Sequence, residues 1–327
     1  MRRLNVLLFA LLLSACAAVS HPPGPPVVTP ALAPDHLLMA DGARLPLRQW
    51  LPAGPPKAVI VALHGMNDYS NFFDEPGAYL AGLGIASYAY DQRGFGQGPH
   101  PGTWSSTEAM ADDSATAIRL LAAKHPGLPV FALGESMGGA VLMVMEAQGR
   151  TPAEMTAKIL SAPAVWGRAA MPWYQQAVLW LAYHVAPGWK PSGRGLNIRP
   201  SDNIEMLKKL GADPLVIKET RVDAIKGVVD LMDRAAELAP KVSGPTLVLY
   251  GEKDEVIPAE PTWRAIRALP GLGRDQQVAL YAQGWHMLLR DLQAKLVLDD
   301  IAAWMADRAA PLPSGADSRA RARLSDR

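Results

Sequence analysis

Cysteine is nearly missing from this chain. Cys16 is the only one in 327 residues, so no disulfide can close within the molecule and no cysteine-based metal site can form. An excess of charge is missing too: 32 Lys and Arg stand against 31 Asp and Glu, a formal net charge of +1. That balance offers no basic field to gather nucleic acid. No uninterrupted apolar run approaches the roughly 20 residues that a spanning helix needs, and no internal repeat is present. What remains is a globular composition, 49% hydrophobic, long enough for one large α/β domain with an insertion.

The start of the chain has its own pattern. Arg2 and Arg3 precede the apolar run Val6 to Leu13, and Leu13-Ser14-Ala15-Cys16 follows. A basic start, a short apolar stretch and a small-residue site read as a signal peptide. Leu-Ser-Ala-Cys resembles the bacterial lipoprotein signal, the alternative being an ordinary secretory peptide with an incidental cysteine. The resemblance implies cleavage before Cys16, acylation of that residue, and a protein held on a membrane of the cell envelope by a lipid anchor. Two or more acyl chains, at about 0.8 kcal/mol per buried CH₂, make such an anchor firm. Between Ala17 and Pro34 lie six prolines and almost no charge. The stretch reads as a polyproline-like spacer of up to roughly 60 Å, which stands the domain clear of the lipid.

Beyond the spacer, strands and helices alternate. Leu37–Ala40 and Leu45–Leu51, joined through Asp41-Gly42, form an expected hairpin. Ala58–Leu63 and Ile85–Tyr90 are apolar throughout, as strands covered on both faces must be. Pro129–Leu133, Lys158–Ser161, Thr246–Tyr250 and Gln277–Tyr281 read likewise, with a helix reaching Lys124 and a closing helix over Leu296–Ala309. The alternation stops between Pro163 and Pro240. There Met171–Val185 is an apolar helix, and Val222, Ile225, Val229, Met232 and Ala236 form an amphipathic stripe. The expected organisation is a signal peptide (1–15), an acylated Cys16 with its Pro-rich linker (16–35), a first core segment (36–162), a helical cap (163–240), a second core segment (241–309) and a disordered basic tail (310–327).

The chemistry centres on Gly134-Glu135-Ser136-Met137-Gly138. A Gly-x-Ser-x-Gly between a strand and a helix forms a nucleophile elbow: the serine sits on a strained turn, and the glycines remove side chains that would strike strand and helix. Serine needs a base to accept its proton and an acid to orient that base. Downstream, Asp254 follows the strand at Thr246–Tyr250 and His286 follows the strand ending at Tyr281, each at the C-terminal strand edge. Glu252 and Glu255 are the alternative acids. No other histidine follows the cap. His64-Gly65, at the end of Ala58–Leu63, positions an oxyanion loop whose backbone donors are Met66 and, at the helix start, Met137.

Leu63-His64-Gly65, Asp91-Gln92-Arg93-Gly94-Phe95-Gly96, the elbow with Gly139, Gly251-Glu252-Lys253-Asp254 with Val256 and Pro258, and Gly284-Trp285-His286 together resemble the monoacylglycerol lipase and lysophospholipase branch of the α/β-hydrolases. The likeness spans about Leu37 to Ala309. It implies the α/β-hydrolase fold, a mostly parallel central sheet with helices on both faces and a cap inserted after the sixth strand. It also implies hydrolysis of a lipid ester by Ser136, Asp254 and His286 through an acyl-enzyme, with no metal or organic cofactor. Met66-Asn67-Asp68-Tyr69 departs from the Gly-Glu-His that follows His-Gly in animal monoacylglycerol lipases, which bears on the substrate. Trp173 and Trp180 are candidates for a lid touching acyl chains or the membrane; the competing reading buries their helix against the core. A peptidase or acyltransferase with the same triad, and a silent envelope binding protein, are the rival functions.

Overall fold

The computed structural model describes residues 17–325 except Arg194. Cys16 and the apolar run before it lie outside the described residues. In chain order the strands are β1 (Ala31–Leu32), β2 (His36–Leu38), β3 (Arg44–Trp50), β4 (Ala58–Leu63), β5 (Ile85–Tyr90), β6 (Val130–Glu135), β7 (Met155–Ser161), β8 (Thr246–Gly251) and β9 (Gln276–Tyr281). The helices are α1 (Asp74–Gly82), α2 (Thr107–Lys124), α3 (Met137–Ala147), α4 (Trp173–Val185), α5 (Ile204–Ala212), α6 (Val222–Leu238), α7 (Ala259–Arg267), α8 (Ala294–Ala306) and α9 (Ala316–Ser325).

One sheet runs β1-β2-β3-β5-β4-β6-β7-β8-β9. The first three strands join antiparallel, β3 meets β5 antiparallel, and every pair from β5 to β9 is parallel. Parallel strands need covering on both faces, and all six residues of β4, β5, β6 and β8 are buried. Successive side chains take opposite faces. Val59, Val61 and Leu63 meet the core built with α2, α3, α6 and α7, whereas Ile60 and Ala62 meet the one built with Phe72, Phe73 and α8. Counting the unexpected two-residue β1, the cap enters after the seventh strand rather than the sixth.

Within the cap, α6 buries Val222, Val229 and Met232 of the expected stripe and packs across α3. Helix α4 behaves differently: none of its residues is buried, and Trp173 and Trp180 are 78% and 63% exposed. The reading in which this helix is buried against the core is therefore not what the chain adopts.

Both flanking segments depart from expectation. The Pro-rich stretch does not stand off the domain but lies along it. Val19 N donates to Asp223 Oδ2 at 3.0 Å and Ser20 Oγ to the Ser105 carbonyl at 3.0 Å. His21 stacks on His100 with ring centroids 3.8 Å apart. Backbone hydrogen bonds and one ring stack hold a segment that has few apolar side chains to bury. The tail, expected disordered, forms α9 against β9 and buries Ala316, Asp317 and Ala320. Its arginines hid a narrow inward stripe of small residues.

Candidate active site

Strand β6 ends at Glu135, and Ser136 turns the chain into α3 with φ 53° and ψ −111°. A side chain held at positive φ is strained and persists only where its surroundings fix it. Here the fixing contacts come from the flanking glycines. A Cβ on Gly134 would lie 2.4 Å from the Gly138 carbonyl carbon, and one on Gly138 would lie 2.4 Å from the Leu63 oxygen. Strand, helix and β4 approach so closely that only glycine fits at both positions. Ser136 N also donates to the Ser161 carbonyl at 2.9 Å, tying the elbow to β7.

The loop after β4 lies against Ser136: a Cβ on Gly65 would sit 3.3 Å from Ser136 Cβ. His64 anchors that loop. Gln92 N donates to His64 Nε2 at 3.0 Å and Gln92 Nε2 to the His64 carbonyl at 3.0 Å. With Nε2 accepting, the proton is on Nδ1, 2.8 Å from the Gly65 carbonyl. Burial pushes the pKa of His64 below its ordinary value, so it is neutral and committed to structure. The amides of Met66 and Met137 have no acceptor among the described residues, the latter being an unsatisfied first-turn donor of α3. Asn67 links the loop to the cap: its carbonyl accepts from Ile217 N at 2.9 Å, and its Nδ2 donates to Thr220 Oγ1 at 2.7 Å.

Asp254 and His286, far apart in the chain, meet. His286 Nδ1 lies 2.8 Å from Asp254 Oδ2, and both side chains are almost fully buried. Asp254 Oδ1 accepts from Val256 N at 2.8 Å and Ile257 N at 2.9 Å, which fixes the carboxylate. A carboxylate only accepts, so Nδ1 must carry the proton and Nε2 keeps its lone pair. Burial pulls His286 toward neutrality, but the Asp254 carboxylate, aided by Glu135 and opposed by Arg290, raises its pKa overall. Glu252 is exposed, and Glu255 accepts from Arg199 N at 2.6 Å, so neither rival acid is the partner of His286. No hydrogen bond joins the Ser136 hydroxyl to the imidazole; the elbow and the histidine loop are linked instead by the ion pair Arg290 Nη2–Glu135 Oε1, at 2.7 Å.

That ion pair was not apparent in the sequence. Arg290 Nη1 also holds Asp68 Oδ2 at 2.8 Å, and no spacing signals a contact between residues 222 positions apart. Trp173 and Trp180 lie on exposed α4, and the structure does not bring them together with Ser136, Asp254 or His286 by any hydrogen bond. Among the described residues no three His, Cys, Asp or Glu side chains converge as metal ligands.

Residues 54–293 match the Hydrolase_4 family, described as serine aminopeptidase, S33. The chain belongs to that family. It is 27% identical to the monoacylglycerol lipase of Mycolicibacterium smegmatis, over 81% of this chain and 93% of that one. It is also 27% identical to human monoglyceride lipase, over 84% and 91%. Among solved structures it resembles Paleococcus ferrophilus monoacylglycerol lipase at TM-score 0.67 and 24% identity, covering 81% of this chain and 99% of that one. A soluble variant of Saccharomyces cerevisiae monoglyceride lipase aligns at TM-score 0.69 and 20% identity, over 87% and 96%. The fold of this Hydrolase_4 member is the α/β-hydrolase fold, as its sheet order and helical layers require.

Proposed function

We propose that this Hydrolase_4 protein is a serine hydrolase that cleaves carboxylic esters of lipids, of the monoacylglycerol lipase or lysophospholipase type. The observation that carries the reading is the buried 2.8 Å contact between Asp254 and His286, on the same sheet edge as a serine held at positive φ. In the mechanism, Ser136 Oγ attacks the ester carbonyl as His286 Nε2 takes its proton. The amides of Met66 and Met137 receive the oxyanion, each worth about 3–4 kcal/mol of barrier. His286 returns the proton to the leaving alcohol, the C–O ester bond breaks, and the acyl group stays on Ser136. Water, deprotonated by His286, then releases the acid and restores the serine. Asp254 holds the tautomer and stabilises the imidazolium that forms twice in each cycle.

The similarity to monoacylglycerol and monoglyceride lipases over four fifths or more of the chain supports a lipid ester as substrate. Exposed Trp173 and Trp180 support a lid that meets acyl chains or a lipid surface. The lipoprotein reading of Cys16 adds a membrane anchor in the cell envelope. Replacing Cys16 with serine releases the protein from membranes on that reading, and continued sedimentation of the variant with them contradicts it.

The deciding experiment compares monoacylglycerols, lysophospholipids and aminoacyl anilides as substrates for wild-type and Ser136→Ala protein. Turnover of the lipid esters that Ser136→Ala abolishes supports the proposal. Preference for the anilides replaces it with a peptidase, the activity for which the family is named; turnover of nothing by wild-type protein favours a binding role.

A further inference from the structure

We propose that Arg290 is a positioning residue for this reaction, clamping the oxyanion loop, the nucleophile elbow and the histidine loop into one rigid unit; the inference rests on the triad reading above. The geometry comes from a single guanidinium. Its Nη1 reaches Asp68, two residues beyond the donor Met66, at 2.8 Å, and its Nη2 reaches Glu135, the residue before Ser136, at 2.7 Å. Arg290 itself stands four residues after His286, where its N donates to the Met287 carbonyl at 2.8 Å and its carbonyl accepts from Asn203 Nδ2 at 2.9 Å. Each of the three loops that carry the proposed chemistry thus sends one side chain to the same point.

Burial makes the clamp firm. The side chains of Arg290, Asp68 and Glu135 are 7%, 7% and 3% exposed. Charges removed from water to that degree are tolerated only while paired, so the loops cannot part without leaving an unpaired ion. The guanidinium is further covered by Phe72, whose ring centre lies 5.7 Å from its carbon. A planar fork with fixed donor directions addresses two carboxylates at once; an ammonium is a point charge that cannot hold both at these distances and angles. Asp68 also accepts from Tyr69 N at 2.9 Å, so the carboxylate that Arg290 grips is part of the loop's own turn.

The consequence falls on turnover rather than on substrate affinity. The Met66 amide acts on an oxyanion that exists only after attack, so its misplacement weakens the transition state more than the ground state. A displacement near 1 Å at such a group costs on the order of 100-fold in rate.

The test measures kcat, KM and thermal stability for Arg290→Met, Arg290→Lys, Asp68→Asn and the Asp68→Asn/Arg290→Met pair. A water-soluble short-chain ester is the substrate, at a temperature where every variant is folded. The expected result is a kcat lowered about 10- to 100-fold in Arg290→Met with KM changed less than about threefold. Arg290→Lys regains part of that loss, and Asp68→Asn costs less than about twofold more when Arg290 is already Met, because Asp68 acts through Arg290. A kcat within twofold of wild type in Arg290→Met, or full additivity of the pair, overturns the proposal. Should Arg290→Met fail to fold, Asp68→Asn decides alone, since the Glu135 arm survives in it: a kcat about tenfold lower supports the clamp and one within twofold refutes it. Ser136→Ala separates the two ideas. If it keeps wild-type turnover, the triad reading fails; if it is inactive while Arg290→Met and Asp68→Asn turn over normally, only the clamp fails.

Discussion

Replacing Gly251 with alanine tests how tightly the loops that carry Asp254 and His286 are registered. Gly251 ends β8, three residues before Asp254, and Gly284 lies two residues before His286. A Cβ at 251 would sit 2.4 Å from the Gly284 oxygen, 2.5 Å from its carbonyl carbon and 2.7 Å from the Trp285 oxygen. All three are backbone atoms, so no side chain can swing aside. The two loops are also bonded to each other, by Lys253 N to the Gly284 carbonyl at 2.9 Å and Glu252 N to the Tyr281 carbonyl at 3.0 Å. Ordinary contact begins near 3.4 Å, so about 1 Å must open between segments that carry the two partners of a 2.8 Å hydrogen bond. Overpacking of this kind costs about 1–3 kcal/mol of stability. A 1 Å misplacement of catalytic groups costs on the order of 100-fold in rate, or about 2.7 kcal/mol of barrier. The assay is kcat/KM on a soluble ester beside a thermal melt. The control is Gly82→Ala at the end of α1, where nothing lies within 4 Å of the added methyl and stability should rise by about 0.5–1 kcal/mol. A Gly251→Ala enzyme with wild-type kcat/KM would show that the Asp254–His286 bond does not need this registration.

Asp254→Asn keeps the shape but presents no second carboxylate oxygen to Nδ1; kcat/KM should fall about 10³- to 10⁴-fold with the melt little changed. A loss under tenfold argues against an orienting role. In the proposed mechanism His286 accepts a proton only when neutral; its folded pKa is raised above the ordinary 6.5, so the acid limb of the wild-type kcat/KM profile should have its midpoint above 6.5. A midpoint below that value contradicts the Asp254 pairing as its cause. Trp173→Ser with Trp180→Ser removes two exposed rings, so the melt should hold within about 0.5 kcal/mol and turnover of a soluble ester should stay unchanged. Activity on ester presented in vesicles should drop severalfold; equal activity on both presentations removes α4 from substrate access.

The parts of the fold legible in the sequence are those whose residue patterns report burial directly. Ala58–Leu63 and Thr246–Tyr250 are apolar without a break because both faces are covered, and they emerged as β4 and β8. The Gly-x-Ser-x-Gly elbow was legible because its glycines answer to backbone contacts within a few residues. Asp254 and His286 were legible because each follows a readable strand. The segment 17–34 and the tail were not, since their docking uses backbone hydrogen bonds, a histidine stack and small residues such as Ala316 and Ala320 rather than apolar runs. Helix α1 is not legible because its nine residues carry little periodicity, and α7, of the same length, shows its apolar face over only about two and a half turns. The Asp68–Arg290–Glu135 cluster has no local signature, because three unrelated loops supply it.

In the proposed mechanism Ser136 Oγ is the atom that takes the acyl group. The most direct measurement is peptide mass mapping of the protein after reaction with a fluorophosphonate, for wild type and His286→Ala. One adduct is expected, on the peptide containing Ser136, formed rapidly in the wild type and orders of magnitude more slowly without the imidazole. An adduct on another residue, or equal rates in the two proteins, would contradict that mechanism.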